Sequence, residues 1–293
     1  MRLLKGHGTR NDFLVLPDLD GAVELSAAVV RALCDRRAGI GADGVLRVVR
    51  SENDPDGKDL AADAGFFMDY RNADGSTAEM CGNGLRVFYA YLQRLGLVEQ
   101  CAAVATRGGI RRVCAGDDGN VTVQIGVARW RPDRPMVTAA VRSSSAARAP
   151  APVARPGVAL EIPNPHVVVE LDHAAQLAGL DLSRPPIVEP SLPHGQNVEF
   201  AVRTGGRRLR MRVYERGIGE TMSCGTGICA AAVVLAGSDE SWTAPWTVDV
   251  PGGTCAVSHG ADGMVELTGP AVLVGEIEVD DDWLAQAEAD AQR

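Results

Sequence analysis

Cys-Gly-x-Gly occurs twice in this chain, as "CGNG" at 81–84 and "CGTG" at 224–227. Each copy runs directly into an apolar segment of helical length, "LRVFYAYL" and "ICAAAVVL". A glycine pair follows each cysteine, 27 residues on in "VATRGGIRRV" (104–113) and 28 residues on in "VDVPGGTCAV" (248–257). Both of those stretches read as strand, tight turn, strand. Self-similarity of this kind marks a duplicated unit, so the chain is expected to fold as two related halves.

The remaining patterns are short and mostly strand-like: "FLVL" (13–16), "GVLRVV" (44–49), "VTVQIGVA" (121–128), "HVVVEL" (166–171), "NVEFAV" (197–202), "RLRMRVYE" (208–215), "WTVDV" (246–250) and "VLVGEIEV" (272–279). Apolar and polar residues alternate most clearly in 208–215, the signature of a half-buried strand. Helical patterns fall at about 22–37, 82–95, 173–180 and 225–236. Strands and helices do not alternate strictly, which predicts an α+β fold rather than a parallel βαβ sheet. The stretch 129–157, rich in Pro, Ala, Ser and Arg, reads as a connection between halves or an irregular surface excursion. The expected division is therefore 1–128, completed by 275–293, and 129–274.

Composition excludes several functions. A formal charge of -9 and 4% aromatic residues lack the basic field and stacking platforms of a nucleic-acid binder. No apolar run has the ~18 residues of a membrane span. The start "MRLLKGHGTRNDFLVL" has no signal-peptide architecture, which predicts a soluble, cytoplasmic protein. Seven cysteines without an export signal argue against a disulfide framework, and the spacings offer no common zinc pair, so no metal is expected. Cys34, Cys101, Cys114 and Cys255 read as small core residues.

Cys81 and Cys224 differ from these by position. The first turn of a helix carries unpartnered N–H groups and a partial positive charge, and glycine lets a ligand approach that backbone. A thiol placed there sits beside an anion-binding nest and is favoured as thiolate. Two such thiols, related by a repeat and facing one substrate, can remove a proton from one face of a carbon and return one to the other.

The stretches "KGHGTRNDF" (5–13), "RRAGIGADG" (36–44), "RNADGSTAEMCGNGLR" (71–86), "NPH" (164–166), "GQNVEF" (195–200) and "ERGIGETMSCGTG" (215–227) closely resemble the diaminopimelate epimerases, in that family's order and over most of the chain. The resemblance implies two pseudo-symmetric α/β domains, each a curved, mostly antiparallel sheet around a central helix, with the active site in the cleft between them. It implies an isomerase of the racemase and epimerase class, independent of pyridoxal phosphate and any other cofactor. Such an enzyme interconverts LL- and meso-2,6-diaminopimelate for lysine biosynthesis and for peptidoglycan precursors. It also implies a cytoplasmic homodimer whose partner is a small molecule rather than nucleic acid or membrane.

By the same resemblance, Cys81 and Cys224 are the base and acid. Gly82 and Asn83, with Gly225 and Thr226, hold the carboxylate at the reacting centre. Asn11, Asn72, Asn164 and Asn197 contact substrate through amides that both donate and accept. Arg216 takes the distal carboxylate, for which its fork is suited, and Glu215 an ammonium. His166 and Glu215 tune the thiols. His7 supports the Asn11 loop, and His173, His194 and His259 read as loop or surface residues. The chain departs from the family at Gly44, where glutamine is common, and at Thr9, Arg10, Pro163, Leu85 and Val87. A proline-type racemase of the same architecture, an isomerase using a carboxylate in place of thiols, and a non-catalytic binding protein are the competing readings.

Overall fold

A computed structural model describes residues 1–142, 150–237, 242, 244–260 and 262–290. The chain forms two compact units, Met1–Val123 with Gly269–Arg293, and Gln124–Thr268.

In the first unit, β1 (Arg2–Gly8) and β2 (Asn11–Pro17) form a hairpin. After α1 (Ala27–Cys34) the chain enters β3 (Gly44–Arg50), parallel to β2, and β4 (Phe66–Asn72) returns antiparallel. Helix α2 (Gly82–Arg94) leads to β5 (Cys101–Ala105), parallel to β4, and then to the antiparallel strands β6 (Arg111–Ala115) and β7 (Val121–Gly126).

The second unit opens with the short strands β8 (Arg129–Trp130), β9 (Met136–Ala139) and β10 (Val153–Pro156). It then repeats the first: a hairpin of β11 (Val158–Ile162) and β12 (Asn164–Glu170), a helix α3 (Ala174–Gly179), and a strand parallel to β12. Between α3 and that strand lies β13 (Ile187–Glu189), which forms a small separate sheet with β9 and β10. The strand itself, β14 (Asn197–Gly205), pairs antiparallel with β15 (Arg208–Glu215), which also carries the short β16 (Gly219–Thr221). Helix α4 (Gly225–Ala236) leads to β17 (Trp246–Val250), parallel to β15, and to the antiparallel β18 (Gly253–His259) and β19 (Val265–Gly269). Finally β20 (Val272–Glu278) rejoins the first unit beside β1, and α5 (Asp281–Asp290) brings Trp283 and Leu284 against the cluster around Leu33.

The repeat holds in register as well as in order. Gly44 faces Phe13 and Asn72 in the first unit, and Asn197 faces His166 in the second, one step before the Val198–Tyr214 pair. Residues 72–84 therefore correspond to 215–227 without a gap. In each unit the strands wrap one helix: α2 packs on β1 to β4, β6 and β20, and α4 on β11, β12, β14, β15, β17 and β18. Both helices are buried on nearly every face, from Gly82 to Tyr89 and from Gly225 to Val233. That is the pattern of a central helix rather than a surface one. Each fully buried side chain of α2, such as Leu85 or Phe88, adds about 1.5–3 kcal/mol of hydrophobic stabilisation. Positive-φ glycines end the two helices, Gly96 at φ 68° and Gly237 at φ 70°.

Two expectations are corrected. The stretch 129–157, read as a connection or an irregular excursion, supplies the strands β8, β9 and β10 of the second unit, with 143–149 outside the described residues. Cys101 and Cys114 are not core residues: Cys101 is exposed, and the two form a disulfide. They stand directly opposite each other on β5 and β6, with Cα atoms 4.1 Å apart, a pairing set by hairpin register. Cys34 and Cys255 are buried, as expected.

Candidate active site

Cys81 occupies the N-cap of α2 in an extended conformation, φ -140° and ψ 115°. Its sulfur accepts the Gly84 N–H at 3.4 Å, doing what a serine or aspartate oxygen does at other helix starts. A Cβ on Gly84 would lie 3.4 Å from Cys81 Cβ and 3.1 Å from Leu46 Cδ2, so the second glycine of the motif leaves room for the thiol to fold back. The thiol reaches Asn11 Oδ1 at 3.8 Å, and Asn83 Nδ2 donates to the same oxygen at 3.2 Å.

Asn11 is aimed by its surroundings. Its Nδ2 donates to Asp43 Oδ2 at 2.7 Å, and Asp43 is held in turn by Arg36. The turn before it, Thr9-Arg10, has positive φ at both residues, 49° and 62°. Such a turn normally uses Asn-Gly, and a β-branched residue there is strained. The buried Arg86 guanidinium donates to Thr9 Oγ1 at 3.1 Å, and the Arg10 N–H reaches His7 Nδ1 at 3.4 Å. His7 therefore does support the Asn11 loop. Asn72 ends β4, and its Nδ2 donates to Ser76 Oγ at 3.0 Å. Gly44 has a steric reason: a Cβ there would meet Arg71 O at 2.4 Å and Tyr70 Cε2 at 2.7 Å, so β4 leaves no space for a side chain at this position.

In the second unit Cys224 caps α4 in the same extended conformation, φ -117° and ψ 115°, with its sulfur 3.5 Å from Thr226 Oγ1. It is 7% exposed. Burial, then the negative charges of Glu215 and Glu199, push the thiol well above an ordinary cysteine; the Thr226 hydroxyl and the Gly227 N–H pull it only partly back. The expectation that a helix start favours thiolate is thus reversed at Cys224, because loss of water and two carboxylates outweigh the nest. Glu215, at the end of β15, is likewise shifted upward, by burial first and by Glu199 among nearby charges, while hydrogen bonds from Thr221 and Cys224 oppose the shift.

Asn197 Oδ1 accepts the Arg216 N–H at 2.9 Å, and the exposed Arg216 guanidinium is steadied on His194 O. Gly195, at φ 71°, lies where a Cβ would meet Arg216 Cδ at 3.0 Å. His166 is fully buried, with Nε2 2.9 Å from Asn164 Oδ1 and Nδ1 2.7 Å from Glu199 Oε1. His173 precedes α3, and His259 stacks on Trp242 with ring centroids 4.5 Å apart. Glu199 was not among the residues expected from the sequence, nor was Asp43. A charged residue between Val198 and Phe200 was the available signal for Glu199, since a buried acid needs a partner.

In the first unit Asn11 and Asn83 meet beside Cys81, while Asn72 contacts Ser76. In the second, Thr226, Glu215 and Glu199 act on Cys224, His166 joins Glu199 to Asn164, and Asn197 pairs with Arg216. Among the described residues no group of three or more His, Cys, Asp or Glu is placed to hold a metal ion. No helix among them is long and apolar enough to cross a membrane.

The sequence profile of diaminopimelate epimerase matches residues 3–131 and 158–274, segments that include both cysteine caps. The chain belongs to the diaminopimelate epimerase family. Relatives from Streptomyces coelicolor and Thermobifida fusca, both named diaminopimelate epimerase, are each 49% identical to it, covering 96% and 95% of this chain and 96% and 98% of their own. The family fold extends to more distant proteins. A Bacillus anthracis phenazine biosynthesis protein of the PhzF family superimposes with a TM-score of 0.67 at 15% identity, over 96% of this chain and 99% of its own. A hydroxyproline epimerase from Agrobacterium vitis does so with 0.62 at 15% identity, over 98% of each chain.

Proposed function

We propose that this chain is an isomerase that interconverts LL- and meso-2,6-diaminopimelate without a cofactor, with Cys81 and Cys224 acting on opposite faces of one α-carbon. The observation that carries the reading is the duplication of the thiol cap: one cysteine at the same place in each repeat, each at the head of a buried central helix and flanked by glycine. Membership of the family supports the substrate.

In this scheme one sulfur, as thiolate, takes the α-proton. The electron pair left on carbon delocalises into the adjacent carboxylate, which the first-turn N–H groups of Gly82 and Asn83 and of Gly225 and Thr226 hold. The other thiol delivers its proton to the opposite face. The product is the inverted stereocentre, one thiol and one thiolate, with the roles of the two sulfurs exchanged. Asn11, Asn72, Asn164 and Asn197 bind the substrate through their amides, Arg216 receives the distal carboxylate and Glu215 an ammonium. His166 tunes the proton affinity of one sulfur and Glu215 that of its partner. The enzyme serves lysine and cell-wall precursor synthesis as a cytoplasmic homodimer, engaging neither nucleic acid nor membrane.

A substrate panel tests this. The purified protein is incubated with LL-diaminopimelate, meso-diaminopimelate, proline and trans-4-hydroxyproline, and stereoisomers are resolved by chiral chromatography. Inversion of diaminopimelate alone is expected. Inversion of free proline with no turnover of LL-diaminopimelate would overturn the assignment.

A further inference from the structure

The duplicated register allows a position-by-position comparison of the two thiol environments. Asn11 corresponds to Asn164, Phe13 to His166, Gly44 to Asn197, Leu46 to Glu199, and Gly84 to Gly227. The glycines confirm the match. A Cβ on Gly84 would first meet Leu46 Cδ2, at 3.1 Å, and one on Gly227 would first meet Glu199 Oε1, at 2.7 Å. Behind Cys81 the strands therefore offer two fully buried apolar side chains, Phe13 and Leu46; behind Cys224 the same two sites hold a fully buried histidine and a fully buried glutamate. A buried acid–histidine pair adds little stability compared with an apolar pair of similar volume, and the second Glu199 oxygen, Oε2, has no hydrogen-bond partner among the described residues. The neighbouring repeat shows that an apolar pair packs at these two sites, so folding does not call for the polar one.

We propose that Glu199 is a positioning residue for the reaction: it grips His166 through Nδ1, turns Nε2 onto the Asn164 amide, and makes the two thiols chemically inequivalent. The proposal rests on the two-thiol reading above. The chain of contacts runs from core to substrate side, Glu199 to His166 at 2.7 Å and His166 to Asn164 at 2.9 Å. The ring occupies one polar end of the Asn164 amide and leaves the other to meet the substrate. The titratable groups facing Glu199 are His166 on β12, Glu215 on β15 and Cys224 at the head of α4. Its negative charge disfavours the Cys224 thiolate, so neutralising it favours that thiolate.

Three variants test this: Glu199→Gln, which keeps shape and removes charge, Glu199→Asp, and the double change His166→Phe with Glu199→Leu, which copies the first unit's apolar pair. For Glu199→Gln the expected result is a kcat lower by about a hundredfold, with KM within about threefold. The limb of the pH–rate profile due to Cys224 moves to lower pH, Cys224 is alkylated faster in mass-mapped iodoacetamide kinetics, and the His166 Nδ1–H resonance shifts. Glu199→Asp recovers part of kcat. The double variant is expected to fold and to lose kcat as Glu199→Gln does. Parent-like kcat and pH profile in either Glu199→Gln or the double variant would overturn the proposal. If the parent itself fails to invert LL-diaminopimelate, the two-thiol reading falls, while the alkylation and ring-proton measurements still decide on Glu199: no change in either rejects it.

Discussion

Asp12 is the clearest place to convert geometry into a number. It lies on β2 next to Asn11 and receives Arg36 Nη1 at 3.1 Å, Arg36 Nη2 at 2.6 Å and Lys5 Nζ at 2.6 Å. Burial alone would raise its carboxyl. The Arg36 and Lys5 bonds outweigh burial and hold it at about 2, against an ordinary 3.8. A depressed folded value means that the contribution is complete above the unfolded value and disappears as pH falls through the folded one. The gap corresponds to about 2.4 kcal/mol at pH 7 and about 1.3 kcal/mol near pH 3. Asp12→Asn keeps the shape and removes the charge, so it should be less stable than the parent by about those amounts at the two pH values. Urea unfolding of both proteins, with midpoints and slopes compared at each pH, measures the difference. A stability gap that is the same at pH 7 and pH 3 would refute the reasoning. The same cluster carries Asp43 and so aims Asn11, which means that Asp12→Asn should also weaken substrate binding.

Three further outcomes are expected. Serine at both Cys101 and Cys114 removes a cross-link closing a loop of about 14 residues and should cost about 3 kcal/mol in urea unfolding, with no further loss when reductant is added. Gly44→Ala drives a Cβ against Arg71 O and should lower stability by about 1–3 kcal/mol in the same assay. Glu215→Gln removes the larger of the two carboxylate effects that disfavour the Cys224 thiolate, so alkylation of Cys224 at pH 8 should accelerate on the order of tenfold; an unchanged rate would show that the Glu215 charge does not act on the thiol.

The helices that carry the thiols were legible because two signals coincide there: a Cys-Gly-x-Gly cap and an uninterrupted apolar run. The expected 82–95 and 225–236 became Gly82–Arg94 and Gly225–Ala236. The strand "RLRMRVYE" was legible through its alternation and is β15 to the residue. Helix α5 was not, because Asp281 and Asp282 open it and it carries little apolar periodicity. The Cys101–Cys114 bond depends on which residues a hairpin sets opposite each other, which a one-residue slip would change. Around the thiols, residue types were readable and their direction of effect was not. "SCGTG" announces a helix-start cysteine, but not the two carboxylates that approach it from β14 and β15. Glu199 sat inside a stretch recognised for Asn197, and only the parallel pairing of β12 with β14 reveals that it serves His166.

Deuterium wash-in bears most directly on the two-thiol account. The parent, Cys81→Ala and Cys224→Ala are each given LL-diaminopimelate in deuterated water, and α-carbon exchange and stereochemistry are followed by NMR and chiral chromatography. Expected is meso product bearing one solvent-derived deuterium at the inverted centre from the parent, and none from either single variant. Near-normal meso formation by either alanine variant would contradict the account.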